Sequence, residues 1–268
     1  MPPSAAQPHQ NAIDFEQVLD ERHRAIHRDI YAAFGRSADA ANIIQGVREF
    51  RSGRPHVRIV MHPSAKNGGA FIPCEGRLEA MAATSFDIDP DVRRYRGQPF
   101  EIGARSGSSY VPDFVVEHLD GTMTVVDVKP IGRLLNPAVT ERMRSVRRDL
   151  RRARLRHTLI TEVTLEKQPA RQIRECLRRG CRVELDPFDR NRLLSHLGNA
   201  RLTVRDARLQ ALALGLDAYA IEKLALLGDL TFPITTTWSE FAQLEVTHEP
   251  DQTAAAGWGS VRDVRITL

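Results

Sequence analysis

Two aspartates and a lysine stand in PDFVVEHLDGTMTVVDVK, residues 112–129, a segment otherwise built for burial. Apolar runs on either side of Asp120-Gly121 predict a β-hairpin, and its loop decides which side chains meet. A slip of one residue sends every side chain to the opposite face. A two-residue loop, Asp120-Gly121, would pair Asp113 with Val128. A three-residue loop, Leu119-Asp120-Gly121 with the glycine left-handed, pairs His118 with Thr122 and therefore Asp113 with Asp127, and Lys129 follows on the same face. Carboxylates on opposed strand positions, about 5 Å apart at Cβ, raise one another's pKa or demand a counterion. A divalent cation is that counterion: two carboxylates, water and a backbone carbonyl, here that of Val128, form the hard oxygen environment that suits Mg²⁺, with Mn²⁺ as a substitute. Such a centre polarises a phosphodiester and lowers the pKa of bound water, while Lys129 orients that water or balances developing charge.

The lysine is itself informative. Of 38 basic residues only Lys66, Lys129, Lys167 and Lys223 are lysines. Where arginine is the default, a lysine between Val128 and Pro130 points to a need for a compact ammonium. The arginines are also unevenly placed. Residues 133–182 hold 15 basic against 5 acidic residues, an excess of +10, whereas residues 1–132 carry −2 and 183–268 carry −4. A block of this kind is the footprint of a polyanion-binding surface, because each phosphate it neutralises releases condensed counterions. The bland alternatives are a solvated Arg-rich helix, an Asp113 that only caps a turn after Pro112, and an Asp127 that only pairs with an arginine.

Several elements must hold these residues. Apolar positions from Asp14 to Phe34 recur at helical spacing and stop before Gly35, which predicts a helix. Residues 56–61, HVRIVM, read as a strand, and 76–86, GRLEAMAATSF, as a short helix carrying Glu79. Extended segments are expected at 98–102 and 109–119, then the hairpin's second strand at 122–129. Between Ala138 and Ala153 a seam of Val139, Met143, Val146 and Leu150 predicts a helix whose remaining surface bears Arg142, Arg144, Arg147, Arg148, Arg151 and Arg152. Residues 157–165, HTLITEVTL, read as a further strand. Helix, three strands, helix and strand make an α/β layer with the hairpin at its centre.

From Gln168 the chain is Leu/Ala-rich. Thr203 with Asp206 predicts a capping box for a helix ending near Gly215, and Asp217 caps a second helix ending near Gly228. With the β-like LTFPITTTW that follows, this tail reads as a small winged-helix-like module. Its second helix offers only Lys223 as a cation, offset by Glu222, so protein docking is the expected role rather than DNA reading. The division expected is a tail and helix in 1–55, a catalytic unit in 56–167 and the helical module in 168–268.

Composition closes off other classes. The chain has 268 residues, 42% hydrophobic and 27% charged, as in ordinary globular proteins. No run approaches the ~18 apolar residues of a membrane helix. MPPSAAQPHQ lacks the basic start and apolar core of a signal peptide, so a cytoplasmic location is expected, and residues 1–11 are expected to be disordered. Cys74, Cys176 and Cys181 show neither a disulfide framework nor a zinc-ligand spacing.

Pro112-Asp113, thirteen residues, then Asp127-Val128-Lys129 resembles the PD-(D/E)XK nuclease pattern. With Leu78-Glu79, the DPDV turn at 89–92, Gln98-Pro99, Pro112-Asp113-Phe114, Val128-Lys129-Pro130 and Thr161-Glu162, residues 75–165 resemble the catalytic domain of TnsA, the endonuclease subunit of heteromeric, Tn-seven-like transposases. The resemblance implies a restriction-endonuclease-like central sheet flanked by helices. It implies Glu79, Asp113 and Asp127 as acidic metal ligands with Lys129 as the catalytic lysine; Glu75 is the nearby rival of Glu79. It further implies Mg²⁺-dependent nicking at the 5′ ends of a transposon, a DDE-type transposase partner that cuts the 3′ ends, and an AAA+ ATPase regulator that contacts the C-terminal module. Some TnsA proteins carry Gln at the position of Asp127, where aspartate fits the wider nuclease pattern. A stand-alone restriction- or resolvase-type nuclease and a catalytically inactive DNA-binding or assembly module are the competing readings.

Overall fold

The computed structural model describes residues 21–48, 58–103, 109–198, 201–233 and 236–246. In chain order, α1 (Glu21–Gly35) precedes a hairpin of β1 (Ile59–Pro63) and β2 (Phe71–Glu75). Helix α2 (Arg77–Ile88) then leads to β3 (Val92–Gly97), the two-residue strands β4 (Ile102–Gly103) and β5 (Ser109–Tyr110), and the central hairpin β6 (Phe114–His118) and β7 (Met123–Val128). After the short α3 (Ile131–Leu134) come α4 (Pro137–Arg152), β8 (Arg156–Ile160) and a single helical turn, α5 (Glu162–Leu165). The C-terminal part holds α6 (Ala170–Leu177), α7 (Pro187–Leu197), β9 (Leu202–Thr203), α8 (Val204–Ala213), α9 (Ala220–Leu227), β10 (Leu230–Thr231) and β11 (Gln243–Val246).

A four-stranded mixed sheet, ordered β3-β6-β7-β8, forms the centre. β3, β6 and β7 run antiparallel, and β8 is parallel to β7. A parallel neighbour cannot be reached by a tight turn, so a crossover is required, and α4 is that crossover. Asn136 begins α4 by accepting the Ala138 N–H at 2.9 Å, with Pro137 in the first turn, where its missing N–H costs nothing.

Strands buried on both faces read as continuous apolar runs, which is why VVEH and TVVDV alternate so little. One face packs Phe114, Val116, Val126 and Val128 against Ala80, Ala83 and Phe86 of α2. Phe86, Tyr95 and Phe114 meet edge-on there, with ring centroids 5.2–6.1 Å apart. The other face packs Val115 and Val125 against Ile26, Ile30 and Phe34 of α1 and Met143, Val146 and Leu150 of α4. Arg22 and Asp149, 3.0 Å apart, tie these two helices together. The fold is mixed α/β, as the sequence pattern requires.

The hairpin takes the three-residue loop. Phe114 pairs with Val126 and Glu117 with Met123, His118 N donates to Thr122 O at 2.9 Å, and Gly121 sits at φ 76°. That left-handed backbone is where glycine escapes a steric cost. Asp113 and Asp127 thus occupy opposed positions at the end of the ladder, with Phe114 and Val126 as the last pair before them.

Three sequence expectations need correction. The segment 157–165 is not one strand: β8 ends at Ile160, and Glu162–Leu165 forms a helical turn. Its β-branched residues mimic strand alternation, but the Glu162 carboxylate accepts the Ile131 N–H, which draws the turn beneath α3. Of residues 98–102 only Ile102 joins a ladder, because Gln98 takes a left-handed φ of 42°. Among the described residues of LTFPITTTW only Leu230–Thr231 pairs, within a three-stranded sheet ordered β10-β11-β9. The strand expected at 56–61 runs from Ile59 to Pro63, and the first helix is described from Glu21 onward. The expectations for residues 1–20, 56 and 57 lie outside the described residues.

Thr203 caps α8 as expected, accepting the Asp206 N–H at 3.1 Å, and Asp217 accepts the Tyr219 N–H just before α9. The core of the C-terminal part draws in Ile88 from α2, so its apolar packing continues into the sheet unit.

Candidate active site

At the open end of the hairpin, Lys129 Nζ stands 2.7 Å from Asp113 Oδ2 and 3.8 Å from Asp127 Oδ1. Asp113 Oδ2 also accepts the Val128 N–H at 2.7 Å. Backbone pairing explains why the group assembles: strand positions of equal parity face the same way, so Asp113, Asp127 and Lys129 leave the sheet together on the α4 side.

Asp127 is fully buried and doubly held. The Tyr110 hydroxyl donates to Oδ1, and His157 Nε2 lies 2.7 Å from Oδ2. Burial opposes its ionisation, yet the His157 hydrogen bond and the Lys129 charge keep it below the ordinary carboxylate range. Burial, then the charges of Asp127 and Asp113, raises the Tyr110 phenol well above its usual value, so it acts as a proton donor to the carboxylate. Burial also works against the Lys129 ammonium, but Asp113 and Asp127 outweigh it and raise its pKa.

Glu79 sits in the first turn of α2 and folds back, its Oε2 accepting the Glu75 N–H at 2.6 Å. Burial, then the negative charge of Asp113, pushes Glu79 up to about 8. Burial, partly offset by Lys129, raises Asp113 to about 6, with Asp127 adding to the rise. Three carboxyls therefore converge electrically on a single ammonium, and negative charge is left unneutralised. This is the field a divalent cation relieves, and the donors fit it: among the described residues Asp113 Oδ1 and Glu79 Oε1 accept no hydrogen bond. The trio of Glu79, Asp113 and Asp127 does not bring all its ligand atoms within 4.8 Å of one another, a closeness reached among the described residues by His62, Asp87 and Cys181.

Gln98 belongs to the wall of the site. Its side chain donates to Glu75 Oε1 at 3.0 Å, and its backbone N–H donates to Asp113 O at 2.8 Å. Glu75, the rival acid, is thereby committed to Gln98. Of the arginines, Arg142 reaches the site: its guanidinium donates to Ser109 O and lies 5.2 Å from the centroid of the Tyr110 ring. Arg144 and Arg148 pair with Glu141 at 3.7 and 3.3 Å. Arg147, Arg151 and Arg152 have no carboxylate partner among the described residues, and Arg151 and Arg152 are exposed.

Tyr110 and His157 are the residues that sequence reasoning missed. A signal existed for His157: β8 pairs it with Val125, two positions from Asp127 on the same face. Finding it required knowing that β8 lies parallel to β7. No protein-family model matches the chain, and no curated protein matches it.

Proposed function

We propose that this chain is a divalent-metal-dependent DNA endonuclease of the PD-(D/E)XK type, acting as the TnsA-like subunit that nicks the 5′ ends of a transposon. The observation that carries the reading is the convergence of Asp113 and Asp127 from opposed strand positions on Lys129. The order of helix, three strands, helix and strand around the site supports a restriction-endonuclease-like fold.

Asp113, Asp127, Glu79 and the Val128 carbonyl would hold the cation, which when bound supplies Lewis-acid polarisation of the phosphodiester and an acidified water. The protein does the rest. Tyr110 and His157 fix the Asp127 carboxylate in one orientation, so little reorganisation remains at the moment of reaction. Lys129, paired with Asp113 at rest, places an ammonium where negative charge builds on the scissile phosphate. Arg142, Arg147, Arg151 and Arg152 contact flanking phosphates and fix the strand relative to the carboxylates.

In this reading residues 56–167 form the nuclease unit. Residues 168–268, helical and winged-helix-like, receive an AAA+ ATPase regulator, and a DDE-type transposase completes the cut. No helix among the described residues is long and apolar enough to cross a membrane, and a cytoplasmic location follows from the proposed reaction.

The test is nicking of transposon-end DNA in Mg²⁺ or Mn²⁺, with and without any DDE-type transposase and AAA+ ATPase that neighbouring reading frames encode. Activity that needs the partners and falls about a hundredfold or more in Asp113→Asn and Lys129→Met supports the proposal. Autonomous cutting of unrelated DNA would instead identify a stand-alone nuclease. Full activity of the complex with Asp113→Asn would end the nuclease reading.

A further inference from the structure

Three side chains from separate elements meet in the interior, away from the carboxylates of the candidate active site. They are His62 on β1, Asp87 in the last turn of α2, and Cys181 in the tight turn Gly180–Arg182 that follows α6. His62 and Asp87 are wholly buried and Cys181 is 5% exposed, and one ligand atom from each lies within 4.8 Å of the other two. His62 Nε2 stands 2.6 Å from Asp87 Oδ2, while His62 Nδ1 is buried with no hydrogen-bond partner. An imidazole nitrogen stranded in the interior is costly and calls for an occupant.

The cluster is built rather than incidental. Asp87 is locked by Ser64 Oγ at 2.9 Å, the Lys66 N–H at 3.1 Å and the Tyr95 hydroxyl at 3.2 Å. The turn that carries Cys181 is pressed onto α9: a Cβ at Gly180 would meet Lys223 N at 2.4 Å and the Glu222 carbonyl carbon at 2.5 Å. Only glycine allows that approach, so the sulfur's position is set by backbone contact. Cys181 also lines a cleft of about 630 Å³ with Pro63, Ala65, Arg182 and Lys223, which offers a path for an ion.

One imidazole nitrogen, one carboxylate oxygen and one thiol sulfur form a mixed, partly soft donor set. Mg²⁺ avoids sulfur, whereas Zn²⁺ takes these three ligand types in tetrahedral sites. Burial, then the charge of Asp87, pushes the thiol up to about 12, which removes it as a free nucleophile at neutral pH. We propose that His62, Asp87 and Cys181 bind one zinc-class divalent ion that staples the C-terminal part of the chain to the sheet unit. On loading, the Cys181 S–H bond breaks, its proton passes to solvent and the sulfur binds the metal. His62 contributes a ring-nitrogen lone pair and Asp87 a carboxylate oxygen, with no change of oxidation state. A structural metal joining β1, α2 and the 180–182 turn stabilises only the folded chain, so binding and stability are linked.

The experiment uses the full chain, stripped with a chelator, dialysed against zinc sulfate and assayed for metal content. Thermal unfolding with and without zinc and the absorption of a cobalt-loaded sample accompany it. Wild type, Asp113→Ala and Cys176→Ser should each retain about one zinc per chain, unfold at higher temperature with zinc, and give a thiolate-to-cobalt charge-transfer band. Cys181→Ser should lose the band and about tenfold or more in zinc affinity, and His62→Asn should do the same where it folds. Cys181→Ser is close to isosteric and carries the test if His62→Asn does not fold. No zinc on wild type, an unchanged cobalt band in Cys181→Ser, or loss of the metal in Asp113→Ala alone would each overturn the proposal.

Discussion

Replacing Glu79 by glutamine should stabilise the protein at alkaline pH while impairing the proposed binding of Mg²⁺. Glu79 rises from an ordinary 4.5 to about 8, chiefly through burial and then through Asp113. Between those values the folded chain holds a proton that the unfolded chain has released, so stability falls as pH climbs through that window and the loss is complete above about 8. A displacement of this size corresponds to a ceiling of about 5 kcal/mol at pH 9. The realised figure is smaller, because Glu79 is only partly buried and Asp113, itself raised to about 6, responds to the same charge. A gain of about 2 kcal/mol for Glu79→Gln at pH 9, with little change at pH 4.5, is the expected outcome. Glutamine keeps a carbonyl oxygen for the Glu75 N–H, so the helix start survives. Urea unfolding in a chelator at pH 4.5, 7 and 9 measures the effect. Wild-type and Glu79→Gln stabilities that track each other within about 0.5 kcal/mol across that range would refute the reasoning. Calorimetry of Mg²⁺ binding on the same two proteins supplies the functional half.

Other perturbations follow from the same geometry. His157→Gln frees one oxygen of Asp127 and should weaken Mg²⁺ or Mn²⁺ binding about 10–100-fold while leaving the far-UV circular dichroism unchanged. Neutralising Arg147, Arg151 and Arg152 together should weaken DNA binding irrespective of sequence and flatten the log–log salt dependence by up to about 3, read by fluorescence anisotropy over a salt series. Leu150→Ala removes a fully buried side chain between α4 and the sheet and should cost about 2–5 kcal/mol in denaturant unfolding.

The hairpin was legible because its information is local. Asp120-Gly121 flanked by apolar runs restricts the loop to a few lengths, and glycine with φ 76° selects the one that opposes Asp113 to Asp127. Helix α4 was legible from the 4, 3, 4 spacing of Val139, Met143, Val146 and Leu150, of which the last three are buried. Contacts made over long separations were not legible. Tyr110 reaches Asp127 across 17 residues and His157 across 30, and neither carries a mark in its own neighbourhood. His62, Asp87 and Cys181 lack the short spacing that announces a metal site, since three distant elements bring them together. The turn at 162–165 was misread for the converse reason: its alternation favours a strand, and only the distant Ile131 N–H shows where Glu162 is drawn.

Because α4 is also the link between β7 and β8, its arginines and Asp127 and Lys129 at the end of β7 belong to one stretch of chain clamped at both ends. Sliding the cationic ridge relative to the aspartates would mean extracting Met143, Val146 and Leu150 from the sheet. In the proposed nuclease the DNA would therefore do the bending and adjusting, and duplexes that deform easily at the cut point would be the ones engaged most readily.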